Sequence, residues 1–239
     1  DEILFKQPEN NCYGDCPICC LPLPPKRRKK VLQTCCSTVI CDGCCYANKL
    51  RKGMNDIKCP FCRHPLPATT AEAKANKMKR VEANDPVAIR QMGVNCCKKG
   101  EFDTAFQYLT KAAELGDIVA HYLLSVMHKN GEVGEKDEIK RVYHLEEAAI
   151  GGHPEARYEL GMIEFGIGME RMDRAIKHWM IGANLGDEQS LTALKLGYPT
   201  GFVMKKDLAA ALRAYQAAVD GMKSPDREVA AEIAKQENY

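Results

Sequence analysis

From residue 84 onward, small and large apolar positions recur at a steady interval. Aligned on Asn84, Gly116, Gly152, Gly186 and Gly221, the steps are 32, 36, 34 and 35 residues. Four positions after the first four anchors stands a small residue: Ala88, Ala120, Ala156 and Ser190. Eight positions after them stands a large apolar one: Met92, Leu124, Leu160 and Leu194. Small pairs precede the later anchors: Ala112-Ala113, Ala148-Ala149, Gly182-Ala183 and Ala217-Ala218. Small residues at fixed helical positions let neighbouring helices pack closely. Each unit carries two helical patterns; in the first they run from Pro86 to about Lys99 and from Asp103 to Leu115. The inner breaks are Gly100/Asp103, Gly131/Asp137, Gly166/Asp173 and Gly201/Asp207. Glycine ends one helix and aspartate is expected to cap the next. The pattern therefore predicts a stack of helical hairpins, an α-solenoid over residues 84–220.

Two flanking segments complete the C-terminal part. Residues 68–83 are rich in Ala, Lys and Glu and read as a linker, either a short polar helix or a semi-rigid spacer. Residues 221–239 contain Ser224-Pro225, a good helix start. They are expected to form a capping helix over the apolar end of the array.

Before residue 68 the apolar periodicity stops and cysteine takes over. Eleven of the 13 cysteines lie before residue 63. Three C-x-x-C pairs stand out: Cys16/Cys19, Cys41/Cys44 and Cys59/Cys62, with adjacent Cys35-Cys36 between the first two. Two intervening residues let a tight turn place both thiolates on one ion at about 2.3 Å. Four pairs supply ligands for two tetrahedral sites, hence two Zn2+ ions. A segment of this length buries too little apolar surface to fold alone, and zinc would supply the missing stability. The odd cysteine count and cysteine-poor remainder argue against a secreted disulfide scaffold. The expectation is a reducing compartment, cytoplasmic or nuclear. Cys12, Cys20 and Cys45 are left over, and each adjoins a pair closely enough for a register shift of one residue. His64 is a spare candidate for the second site, and otherwise a solvated loop residue.

The order of the pairs resembles the RING family, over residues 12–67. That resemblance implies a cross-brace, with Cys16, Cys19, Cys41 and Cys44 on one ion and Cys35, Cys36, Cys59 and Cys62 on the other. It also implies roles for three further residues. Ile18, inside the first pair, corresponds to the apolar residue that grips a ubiquitin-conjugating enzyme. Pro60 lies in the matching turn of the last pair. Arg63, directly after the last ligand, resembles the linchpin that holds the ubiquitin thioester in its reactive pose. A planar guanidinium suits that task because it donates to several carbonyls at once. Two features depart from the family: Thr38 stands where a histidine is usual, and the only tryptophan is Trp179, far from the last pair.

The solenoid resembles Sel-1-like repeats, relatives of the tetratricopeptide repeats, with about four units. The third unit carries the resemblance best, in Ala156, Tyr158, Leu160, Gly161, Gly166 and Gly168. The fourth departs in Lys195 and Pro199. Combined, the two resemblances imply a RING-type ubiquitin ligase, a ubiquitin-protein transferase without a covalent catalytic residue. Its solenoid would bind a protein substrate or adaptor. The alternative is a non-catalytic interaction scaffold with a structural zinc module.

Charge changes this picture little. Residues 1–70 carry +5 and the remainder −3, for a net +2. The run Lys26-Arg27-Arg28-Lys29-Lys30 has no interleaved aromatics, so nucleic acid is not the expected partner. No stretch approaches the roughly 20 apolar residues of a membrane span. Cys96-Cys97 is expected to present one buried and one exposed thiol. His178 and Trp179 read as packing residues, and Met162, Met172 and Met180 as core filler.

Overall fold

In the computed structural model, residues 1–25, 29–52 and 58–236 are described. The N-terminal module contains a small antiparallel hairpin, β1 (Lys30–Leu32) and β2 (Val39–Cys41), paired Lys30 to Cys41 and Leu32 to Val39. Helix α1 (Asp42–Lys52) follows β2 without a break. The buried cluster of this module is Cys16, Leu23, Ile40, Cys41 and Cys44.

Ten further helices follow: α2 (Thr70–Glu82), α3 (Pro86–Lys99), α4 (Phe102–Glu114), α5 (Ile118–Asn130), α6 (Glu138–Ile150), α7 (Pro154–Ile167), α8 (Met172–Asn184), α9 (Glu188–Gly197), α10 (Lys205–Gly221) and α11 (Pro225–Gln236). Helices α3 to α8 form three tight antiparallel hairpins, each stacked on the next. The interior is aliphatic and small: Ala105, Leu109, Ala112, Ala120 and Leu124 in one part, Ala175, Ala183, Leu191 and Leu194 in another.

The anchors of the repeat have a backbone reason. Asn84, Gly116, Gly152 and Gly186 all adopt positive φ, between 55° and 86°, at the turn between hairpins. Glycine takes that conformation without steric cost, and asparagine is the next best residue. The fifth anchor differs: Gly221 ends α10 in ordinary helical geometry.

Capping corrects one expectation. Of the four inner aspartates only Asp137 caps a helix, accepting from the Lys140 N–H at 3.0 Å. Asp103, Asp173 and Asp207 lie in the first turns of α4, α8 and α10. There their charge meets the positive end of the helix dipole instead. The recurring cap is the residue after each anchor. Asp85, Asp117, His153 and Asp187 each accept a backbone N–H with their side chain.

The fourth hairpin is looser, and α10 packs more on α8 than on α9. The first and third units place glycine where their helices cross. A Cβ on Gly93 would meet Leu109 at 2.8 Å, and one on Gly161 would meet the Trp179 indole at 2.3 Å. The equivalent residue in the fourth unit is Lys195, which is exposed. A long charged side chain there forbids the same close approach.

Helix α11 also departs from expectation. Its principal partner is α1 of the N-terminal module, not the end of the array. A Cβ on Gly43 of α1 would lie 2.6 Å from the Arg227 backbone nitrogen, so the two helices touch backbone to backbone.

Candidate metal centre and adjoining cleft

Two turns of the same construction present four of the cysteines. In the first, Cys20 N–H donates to the Cys16 carbonyl at 2.8 Å, and Cys16 N–H to the Leu21 carbonyl at 2.9 Å. In the second, Arg63 N–H donates to the Cys59 carbonyl at 2.9 Å, and Cys59 N–H to the His64 carbonyl at 2.8 Å. Each turn is closed by a residue in the left-handed region, Cys20 at φ 55° and Arg63 at φ 62°. Cys41 and Cys44 are presented differently, at the end of β2 and in the first turn of α1. Cys35 and Cys36 sit in the bend between the strands.

These elements bring the thiols into two groups. Cys16, Cys19, Cys41 and Cys44 form one, and Cys35, Cys36, Cys59 and Cys62 the other. Within each, all four sulfurs lie within 4.8 Å of one another. Two thiolates on one tetrahedral zinc at about 2.3 Å stand about 3.8 Å apart. The contacts match that edge: Cys19 to Cys41 is 3.9 Å, Cys36 to Cys59 is 3.9 Å, Cys35 to Cys36 is 4.0 Å and Cys35 to Cys62 is 3.4 Å. Four sulfurs without a carboxylate or imidazole suit a soft, tetrahedral ion. Either group could hold a metal ion, and the donor chemistry is consistent with zinc.

Backbone N–H groups reach two sulfurs of the first group. Cys41 N–H donates to Cys16 Sγ at 3.4 Å, and Cys44 N–H to Cys41 Sγ at 3.3 Å. Burial pushes the Cys16 thiol up, but backbone donors from Cys41, Cys19 and Ile18 outweigh it and bring it down to about 7. Burial, reinforced by neighbouring thiols, pushes Cys35 and Cys44 up. Arg227 of α11 adds a cation, donating through Nη2 to Cys19 Sγ at 3.4 Å. The same guanidinium donates to the Leu21, Pro22 and Met222 carbonyls at 3.2, 2.8 and 2.7 Å. Nothing in the sequence pattern pointed to Arg227, which is 205 residues from Pro22.

Cys12, Cys20, Cys45 and His64 belong to neither group. Of the basic run, Lys26, Arg27 and Arg28 lie outside the described residues. Lys30 folds inward, its Nζ 2.7 Å from the centroid of the Tyr13 ring and 3.0 Å from the Pro25 carbonyl. Burial brings its pKa down to about 7. It is therefore not part of a solvated basic patch.

Ile18, Pro60 and Arg63 line one cleft of about 650 Å³. Its floor is α1, through Ala47, Asn48 and Arg51. Asn48 Nδ2 donates to the Lys58 carbonyl at 3.0 Å and so ties α1 to the second cysteine turn. Ile18 and Arg63 are exposed. Asp226 of α11 lines the same cleft.

In the solenoid, Cys96 is buried and Cys97 half-buried, and His178 and Trp179 are buried packing residues. Met172 is core, but Met162 is not: it lines an open apolar groove of about 590 Å³ with Tyr158, Phe165, Trp179, Leu196 and Phe202. The four-residue spacing of Tyr158 and Met162 was legible as a helix face, but not its exposure.

Residues 86–117, 118–153 and 154–187 match the Sel1 repeat family. Residues 86–187 are Sel1 repeats. The fourth hairpin, α9 and α10, lies beyond the matched residues. Solved structures share the fold, two of them as follows. One is a Sel1 repeat protein from Oxalobacter formigenes, 23% identical, covering 65% of this chain and 66% of that one, with a TM-score of 0.56. The other is a protective antigen of uropathogenic Escherichia coli strains displaying an SLR fold. It is 20% identical and covers 63% of this chain with a TM-score of 0.51. The chain spans only 34% of that antigen's length. No curated protein matches the chain. Sel1 arrays are helical scaffolds with extended surfaces for protein partners. Among the described residues no helix is long and apolar enough to cross a membrane.

Proposed function

We propose that the chain is a RING-type ubiquitin ligase in which a zinc-held platform recruits a charged conjugating enzyme and the Sel1 repeats hold a substrate or adaptor. The observation that carries this reading is the shared cleft of Ile18, Pro60 and Arg63 beside both four-cysteine groups. Bound zinc would supply rigidity, fixing the two cysteine turns and α1, and no chemistry of transfer. Exposed Ile18 offers an apolar anchor to the enzyme. Arg63, held out by the left-handed turn at its own backbone, offers donors for carbonyls of the enzyme and of ubiquitin. Catalysis is then positioning of the thioester for attack by a substrate lysine, and no cysteine of this chain carries ubiquitin. Ubiquitylation in vitro with a panel of conjugating enzymes tests this. Ile18→Ala and Arg63→Ala should each reduce chain formation at least tenfold while two zinc ions per chain remain bound. Equal activity in both variants and wild type would remove the roles assigned to these residues.

A second reading, a non-catalytic interaction scaffold, is favoured by Asp226. Helix α11 brings this carboxylate to the rim of the cleft, where it narrows the approach of an enzyme. Failure to discharge ubiquitin from every conjugating enzyme, with both metals bound, would establish that reading.

A further inference from the structure

The first residues of the chain lie on the solenoid as a peptide ligand would. Residues 1–6 form a single turn, with the Phe5 N–H donating to the Asp1 carbonyl at 3.0 Å. Leu4 inserts among Leu145, Ala148, Ala149, Ala156 and Leu160 of α6 and α7 and is buried. Phe5 packs on His178 with ring centroids 4.6 Å apart, under the Arg174 guanidinium at 4.8 Å. Asp1 pairs with Arg174 at 2.8 Å, and Gln7 accepts from Asn184 at 2.9 Å. Ile3, between these contacts, is 70% exposed.

Beneath this segment one repeat position varies between units. Five positions after the anchor the first and fourth units carry the buried aliphatics Ile89 and Leu191, and the second carries half-buried His121. The third unit carries Arg157, which is fully buried. Its Nη1 donates to the Leu4 carbonyl and lies 3.4 Å from His178 Nδ1. Its Nε and Nη2, and His178 Nε2, have no hydrogen-bond partner among the described residues. Among the described residues no carboxylate pairs with Arg157. A buried guanidinium without an anion is costly unless something accepts from it. The visible acceptor on the ligand side is a carbonyl from a segment about 150 residues away.

We propose that the Arg157–His178 groove is a peptide-binding site, occupied here by residues 1–7. Its occupant in a complex is a partner segment of the same chemistry: an acidic residue followed, three and four positions later, by a leucine and an aromatic residue on one helical turn. The inference rests on the reading of the solenoid as the partner-holding part. The chain's own segment competes with the partner and sets the affinity at which the partner binds.

A fluorescent peptide of residues 1–11 added in trans tests this with the full chain. The wild type should bind it weakly. Leu4→Ser/Phe5→Ala, which empties the groove, should bind it at least tenfold more tightly. Adding Arg157→Leu, the residue that the fourth unit carries there as Leu191, should abolish that gain. Asp1→Lys alters an exposed carboxylate without touching the core, and should raise peptide binding several-fold by itself. Peptide binding unchanged in both Leu4→Ser/Phe5→Ala and Asp1→Lys would overturn the proposal. Loss of cooperative unfolding in Leu4→Ser/Phe5→Ala would also overturn it, because the segment would then be core. None of these readouts depends on ubiquitin transfer, so failure of the ligase reading would leave the result intact.

Discussion

Stripping metal from the chain should unfold residues 12–67 and release α11 while leaving α3 to α10 folded. The buried cluster of the module shows why. Among the described residues its buried non-cysteine side chains are Leu23 and Ile40, with Tyr13, Val31 and Val39 partly buried against them; full burial of one such side chain is worth about 1.5–3 kcal/mol. Against this stands a backbone ordering cost of about 1–2 kcal/mol per residue over mostly irregular chain. Metal binding at about 10–16 kcal/mol per structural zinc, as in finger peptides, is the contribution of the right size to offset it. Helix α11 should follow because Arg227 is only 7% exposed and directs its donors at Cys19, Leu21 and Pro22. When those acceptors disperse, the guanidinium loses its partners. The assay is a chelator titration with a chromophore that counts released zinc, followed by hydrogen exchange. The expected result is two zinc ions per chain, and loss of amide protection in α1 and α11 together. Protection in the module that survives release of both ions would refute the reasoning. Protection lost in α1 but kept in α11 would refute the role given to Arg227.

Three further outcomes follow from the same geometry. Cys62→Ser alters an exposed ligand of the second group and should leave one zinc per chain by metal analysis, with the first group still loaded. Gly161→Ala would place a Cβ 2.3 Å from Trp179 Nε1; overpacking of this kind costs about 1–3 kcal/mol, read as a lower Tm and a shifted emission of the only tryptophan. Acid should destabilise the solenoid through His153 and His178, which burial and nearby cations hold at about 3. Both stay neutral when folded but take up a proton below about 6.5 when unfolded. The stability they confer is thus present above pH 6.5 and lost as pH falls toward 3, at up to about 1.4 kcal/mol per pH unit for each. Trp179 emission in urea titrations at several pH values measures this, and a midpoint flat between pH 6.5 and 4 would contradict it.

The repeat was legible because its determinants are local. A left-handed turn every 32 to 36 residues and small residues at fixed offsets leave a direct mark on the chain. The caps were misassigned because two rules compete. Aspartate in a first turn serves the helix dipole, whereas aspartate just before it serves the N–H groups, and only the anchor alignment separates them. Read one residue past each anchor, Asp85, Asp117, His153 and Asp187 form a column of their own. The fourth hairpin extends the period but not the close crossing, since Lys195 replaces the small residue. In the cysteine module the spacing paired the thiols and the RING resemblance implied which pairs share an ion, while the left-handed turns at Cys20 and Arg63 needed coordinates. Helix α11 read as a cap because its start signal is local and its partner is not. The N-terminal segment was illegible for the same reason, although Arg157, where the first and fourth units carry Ile89 and Leu191 and the second His121, was a visible charged residue.

These long-range contacts bear on how the two halves could work together. Among the described residues, two of the contacts between the module and the rest of the chain involve glycine at a backbone approach. At one, α11 lies against α1 over Gly43. At the other, a Cβ on Gly152 would meet the Asn10 carbonyl at 2.6 Å, where the chain leaves the solenoid and Cys12 N–H donates to the Gly152 carbonyl. A Cβ at either glycine would force the facing backbone to shift. These contacts join the part that carries the cleft of Ile18 and Arg63 to the part that carries Arg157. The strand that joins residues 1–7 to the first cysteine turn passes through Asn11, whose side chain donates to the Leu23 carbonyl at 3.1 Å beside the buried cluster of the module.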